Sequence, residues 1–186
     1  MTTRLIFLGP PGAGKGTQAQ VLAEELKVPH ISTGEILRSA IELATPLGQQ
    51  TQSYMERGEL VPDELMLDLI RNRLNQADAQ NGWILDGFPR TVTQASFLED
   101  LLQEIHQTCE CAIYLKVPDE VLISRLLARG RQDDNEKTIR RRLDVYHQET
   151  EPVIDFYSDR SSLRAINGDC SLPEVTESLK EAIAPC

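Results

Sequence analysis

The 186-residue chain has no CxxC pair, and its four cysteines, Cys109, Cys111, Cys170 and Cys186, lack the spacing of a zinc site. No structural metal is therefore expected. Cys109 and Cys111 straddle an expected strand start, so at least one of them belongs to the core. No histidine, cysteine or serine triad is evident, which points away from nucleophilic catalysis. No stretch approaches membrane-spanning length, and the apolar run Leu5 to Leu8 is too short for a signal h-region. A cytoplasmic location with no membrane partner is expected, and a reducing compartment disfavours disulfides. There is no internal repeat and no low-complexity linker, so one domain spans residues 1–186.

Positive charge is scarce. Nineteen Lys and Arg face 29 Asp and Glu, a formal charge of −10. This argues against nonspecific binding to nucleic acid or anionic membranes. A polyanionic ligand must then be held by a local basic cluster working against the global field. Arg125, Arg129, Arg131 and Arg140 to Arg142 form such clusters, with Arg141 assigned to a solvated helix face. Hydrophobic content of 40% and charged content of 26% are ordinary for a globular protein.

What is present is organised around Arg4 to Thr17, RLIFLGPPGAGKGT. A buried strand, Leu5 to Leu8, runs into a glycine-rich loop and then the helix-forming QAQVLAEEL. Glycines let backbone N–H groups approach phosphate oxygens, while a helix N-terminus and the Lys15 ammonium supply positive charge. The stretch matches GxxxxGK, with the usual hydroxyl displaced one place by Gly16 to Thr17. It predicts binding of a nucleoside triphosphate.

Further along, the first helix should end near Lys27, and His30 to Ser32 is extended. Ser32 or Thr33 caps a helix over 35–43, which carries Arg38. Thr45, Pro46 and Gly48 break the chain before a polar helix over 49–57, stopped at Gly58. Pro62 opens another helix. Trp83 to Leu85 is a strand with Asp86 at its carboxyl end, the position of a Walker B acid that orders Mg²⁺ or its waters. A helix over 91–107, a strand over 111–117 and a helix from Pro118 follow. Asn135 to Tyr157 reads as a long helix that Pro152 should kink or interrupt, then come a strand over 163–166 and a closing helix over 172–183. The alternation predicts an α/β fold: an open, mainly parallel sheet of about five strands with helices on both faces.

GPPGAGKGTQA, ISTGEILR, GELVPDEL, LDGFPRT with Gln94, and RQDDNEKTIRRRL, in this order, resemble adenylate kinase over essentially the whole chain. The resemblance implies a P-loop fold with a core of 1–31, 62–129 and 135–186, an NMP-binding insertion of 32–61 and a very short lid loop of 130–134. It implies reversible, Mg²⁺-dependent transfer of the γ-phosphoryl of ATP to AMP, serving adenine nucleotide homeostasis and purine salvage. The implied partners are ATP, AMP and ADP, with a monomer expected from a self-contained site. Longer family members carry an extended lid, sometimes with four zinc-binding cysteines. Here only Gly130 separates Arg129 from Arg131, so no structural zinc is expected.

By the same resemblance, Gly12, Ala13, Gly14, Lys15, Gly16 and Thr17 would cradle the ATP phosphates, with Lys15 bridging toward the transferred group. Arg129 would reach those phosphates, while Arg125 and the Gly168 backbone would lie against the donor adenine. Arg38, Arg90, Arg131 and Arg142 would hold the AMP phosphate and the transferring phosphoryl. Thr33, the backbone of Glu59, Leu60 and Val61, the turn Gly87, Phe88, Pro89, Arg90, and Gln94 would line the AMP pocket. The Gln94 amide offers donor and acceptor together, matching the N1 and N6 edge of adenine. Asp86 would meet Mg²⁺ through water. Asp133 and Asp134 would pair with arginines on closure, and Asp134 could equally serve as a helix N-cap. A uridylate or cytidylate kinase is the nearest rival, disfavoured by Thr33 and Gln94. A switch GTPase would be expected to show an NKxD-type motif, and none is present.

Overall fold

The computed structural model describes residues 3–131, 134–160 and 162–183. Five strands, β1 (Thr3–Leu8), β2 (His30–Ser32), β3 (Gly82–Asp86), β4 (Cys111–Lys116) and β5 (Leu163–Asn167), form one sheet in the order β2-β3-β1-β4-β5. Every pairing is parallel. Buried on both faces, the central strands alternate between two cores. Ile6, Leu8, Trp83, Leu85 and Ala112 serve one, and Leu5, Phe7, Ile84, Cys111, Ile113 and Leu115 the other.

The first core is covered by α4 (Asp63–Leu74), α5 (Val92–Glu104) and α8 (Pro152–Ser158). The second is covered by α1 (Lys15–Leu26), α6 (Asp119–Arg129), α7 (Glu136–Val145) and α9 (Leu172–Ile183). Thus β1 leads to a helix on one face and its neighbour β3 to a helix on the other. The crevice beyond their carboxyl ends is a topological switch point, where open α/β sheets bind ligands.

Between β2 and α4 lie α2 (Thr33–Glu42) and α3 (Pro46–Arg57). α3 begins at Pro46, three residues earlier than the sequence suggests. Thr45 caps it, with its hydroxyl oxygen accepting from the Gly48 N–H at 3.1 Å, and Pro46 is preorganised for the first turn. Gly48 lies inside the helix because a Cβ there would overlap the Ala40 carbonyl of α2. The long helix expected over 135–157 is interrupted ahead of Pro152, one of the two outcomes expected there. A π turn, Tyr146–Thr150, intervenes before Pro152, and the Glu151 N–H donates to the Tyr146 carbonyl at 2.8 Å. The wider turn leaves the proline at the first position of α8, where its missing N–H costs no helix bond.

Cys111 is core, as expected of one member of its pair; Cys109 is half-buried and Cys170 exposed, and all three are free thiols. Among the described residues no cluster of His, Cys, Asp and Glu could hold a metal, and no helix is long and apolar enough to cross a membrane.

Candidate active site

The loop after β1 turns directly into α1. Gly14 is the N-cap in a left-handed conformation (φ 93°), and the space where its Cβ would project is empty. Only glycine adopts this geometry without strain, and the first N–H groups of α1 are left without intrahelical partners. Lys15 folds back over the loop, its Nζ donating to the carbonyls of Gly9 at 2.8 Å and Pro10 at 2.9 Å. Burial pulls its pKa down to about 8; Asp86 opposes this, and Arg90 and Arg129 add to it.

Asp86, at the end of β3, is 8% exposed. Burial pushes its carboxyl up, but His30, Lys15 and Arg90 outweigh it and hold the group below the ordinary aspartate value. The His30 Nε2 lies 3.7 Å from Asp86 Oδ2, longer than a hydrogen bond. The turn after Asp86 aims Arg90 into the crevice. The Arg90 Nε donates to the Gly87 carbonyl at 2.8 Å, and its backbone N–H donates to Gln94 Oε1 at 2.8 Å. Partial desolvation within the cleft lowers the pKa of Arg90, itself a solvent-exposed residue; Asp86 counteracts this, and Arg142 and Arg38 lower it again. Mutual repulsion of this kind marks a place prepared for anions.

These elements bound a cleft of about 660 Å³. Gly12, Ala13, Gly14, Lys15, Gly16 and Thr17 line it from the loop, with Asp86 below. Arg38, Arg90, Arg129, Arg131 and Arg142 converge on it from four different segments of a chain with a net negative charge. At one end lie Arg125 and Gly168, joined by a 3.0 Å hydrogen bond from Arg125 Nη1 to the Gly168 carbonyl. At the other lie Thr33, Glu59, Leu60, Val61, Gly87 and Gln94.

Two residues expected in this wall are elsewhere. Phe88 is 1% exposed and packed into the core. Pro89 lines a smaller pocket of about 90 Å³ that shares Lys15, Arg90 and Arg142 with the cleft. The Phe88–Pro89 peptide is cis. Thr33 is fully buried, its hydroxyl donating to the Asp86 carbonyl at 3.4 Å, so it also braces the start of α2 on the end of β3.

Asp134 is not the cap of α7. Asn135 takes that place, accepting from the Thr138 N–H at 2.9 Å. Asp134 instead binds Arg129 and Arg142, while Asp133 lies outside the described residues. Arg141 lies on an exposed face of α7, as expected, with its Nη2 3.8 Å from Glu59 Oε1.

Sequence reasoning missed several contributors. Leu37, Met55 and Met66 give the Gln94 end an apolar lining. Gln18 is 2% exposed; its Nε2 donates to the Leu172 carbonyl at 3.1 Å and its Oε1 accepts from Thr176 Oγ1 at 2.8 Å, tying α1 to α9. Its spacing of four from the buried Leu22 was an available signal. Asp63 contacts Gln94, a pairing that local pattern does not announce.

The sequence model of the adenylate kinase family matches residues 7–162. The chain is 62% identical over 181 residues to adenylate kinase 1 of Nostoc sp. (strain PCC 7120), covering 97% of this chain and 98% of that protein. It is 52% identical to an adenylate kinase of Trichodesmium erythraeum, covering 97% of each. It is 50% identical to one of Leptospira biflexa, covering 97% and 99% respectively. On this full-length similarity, the chain belongs to the adenylate kinase family.

Proposed function

We propose that the cleft performs reversible transfer of the γ-phosphoryl group of ATP to AMP, giving two ADP. The observation that carries this reading is the convergence of Lys15, Arg38, Arg90, Arg129, Arg131 and Arg142 on one cleft of about 660 Å³. Two polyanions repel, and phosphoryl transfer asks a protein mainly for alignment and charge stabilisation. ATP takes the loop of Gly12 to Thr17, its adenine against Arg125 and Gly168, where a planar guanidinium can stack. AMP takes the opposite end, with its base at Thr33 and Gln94 and its phosphate on Arg38, Arg90 and Arg142. Glu59, Leu60 and Val61 close that end, and Gly87 lets the backbone approach it. Arg129 and Arg131 bridge the two phosphate chains, and Lys15 follows the transferred group.

Asp86 and the Thr17 hydroxyl suit a hydrated Mg²⁺ accompanying ATP. The carboxylate is kept ionised and stands beside the loop, with Oδ2 3.4 Å from where a Cβ would lie on Gly16. Bound there, the cation would supply charge neutralisation on the β- and γ-phosphates. We further assign 32–61 as an insertion that swings over AMP and 130–134 as a short lid loop, which together would exclude water from the reacting phosphates. All these groups come from one chain, which supports action as a monomer.

Purified protein given ATP, AMP and Mg²⁺ should form two ADP per AMP consumed. Arg90→Ala should remove most of this turnover with the fold intact. Tight nucleotide binding without ADP formation would support a regulator instead.

A further inference from the structure

We propose that Asp63 fixes the orientation of the Gln94 amide and so sets the acceptor end of the cleft for adenine over guanine. The proposal rests on the reading of Gln94 as the group that meets the acceptor base. Gln94 lies on the first turn of α5, lines the cleft and is 2% exposed. Its Oε1 accepts from the Arg90 backbone N–H at 2.8 Å, and its Nε2 donates to Asp63 Oδ1 at 2.6 Å. A peptide N–H can only donate and a carboxylate can only accept. Turning the amide over would therefore set donor against donor and acceptor against acceptor, with almost no water to compensate. The orientation follows from the chemistry of the two neighbours.

In that orientation one lone pair on Oε1 and one hydrogen on Nε2 remain unused. Adenine offers a donor at N6 beside an acceptor at N1. Guanine offers an acceptor at O6 beside a donor at N1, the reverse order. In one and the same pose the fixed amide pairs with adenine, whereas guanine demands the overturned amide that Arg90 and Asp63 oppose. Discrimination that leaves buried polar groups unpaired is the strong kind.

Asp63 is not among the residues lining the cleft, so it acts through Gln94 as a positioning residue. It is the first residue of α4, directly after Pro62, whose ring fixes the backbone there. The bond spans 31 residues and joins the start of α4 to the start of α5, so the base reader is held from the same segment that supplies Val61 to the cleft wall.

The test measures steady-state kinetics with ATP as donor and AMP or GMP as acceptor, for the unaltered chain, Asp63→Asn, Asp63→Ala and Gln94→Ala. An amide at position 63 can pair with Gln94 in either orientation, and an alanine leaves Gln94 free to turn. Both variants should lower the AMP-to-GMP ratio of kcat/KM by about tenfold, mainly through KM for the acceptor, with KM for ATP unchanged. A ratio unchanged in both folded variants, including the case where Tm and all rates fall together, would overturn the proposal and leave Asp63 a structural role. Gln94→Ala separates the two levels. If it leaves KM for AMP unchanged, the reading of Gln94 itself fails; if it raises that KM while both Asp63 variants keep the ratio, only the Asp63 proposal fails.

Discussion

Arg129 and Asp134 form a two-bond fork, with Nε and Nη2 of the arginine each 2.7 Å from the carboxylate. The Asp134 side chain has no solvent exposure, and its Oδ1 also accepts from Arg142 Nη1 at 3.1 Å. One carboxylate thus sets the positions of two arginines from different helices, the end of α6 and the middle of α7. Burial pushes the Asp134 pKa up, but Arg129, the Arg131 N–H and Arg142 outweigh it and hold the group below the ordinary value of 3.8.

Because transfer depends on placement more than on charge alone, Asp134→Ala should lower kcat about tenfold or more. Any gain in ATP affinity from removing a competing anion should be smaller than this loss. The folded state holds the Asp134 proton more weakly than the unfolded chain does. Its contribution to stability is therefore present above the ordinary value of 3.8 and lost as pH falls through the lowered folded value. Urea midpoints for the unaltered chain and the variant, compared between neutral and acid pH, check this: the difference should shrink in acid.

Lys15 is shifted in the same direction, but in the alkaline range. Its folded value of about 8 lies below the ordinary 10.5, so the unfolded chain binds more protons between these values, and the Lys15 contribution to stability rises with pH across that window. ATP phosphates entering beside Lys15 restore its proton. Binding near pH 8 should therefore take up part of a proton, measurable by calorimetry in two buffers of different ionisation enthalpy, and Lys15→Met should abolish the uptake. Equal apparent enthalpies in both buffers would contradict it.

Gly58 joins the segment of α2 and α3 to the arginine helix. It ends α3 with φ 73°, and a Cβ there would stand 3.0 Å from the Thr138 carbonyl and 3.1 Å from Arg142 Cγ. A hydrogen bond from Thr138 Oγ1 to the Glu56 carbonyl, 3.3 Å long, crosses the same seam. Gly58→Ala should cost about 1 kcal/mol from backbone strain alone and should also displace Arg142. The expected outcome is a Tm lower by several degrees and a fall in kcat/KM for AMP larger than that in kcat/KM for ATP.

Much of this was legible in the chain. The strand, loop and helix of Leu5 to Leu26 are a local pattern of apolar run, glycines and helix formers, and Asp86 is marked by its place at the end of an apolar strand. What sequence reading missed depends on contacts between distant segments. The Asp63–Gln94 bond spans 31 residues and the Gln18–Thr176 bond spans 158, and no periodicity encodes either. Phe88 reads as part of a ligand turn because its neighbours are, yet its ring is packed among core side chains. Thr45 and Pro46 carry both a break signal and a helix-start signal, and here they act as the cap and first residue of α3. Likewise Pro152 announced an interruption, but not that a π turn would begin six residues before it.

The cleft joins two adenine nucleotides, and acceptor choice tests this most directly. Initial rates of ADP formation should be measured with ATP as donor and AMP, UMP or CMP as competing acceptors at equal concentration. The predicted result is a kcat/KM for AMP at least about tenfold above that for either pyrimidine. A preference for CMP or UMP would contradict the account.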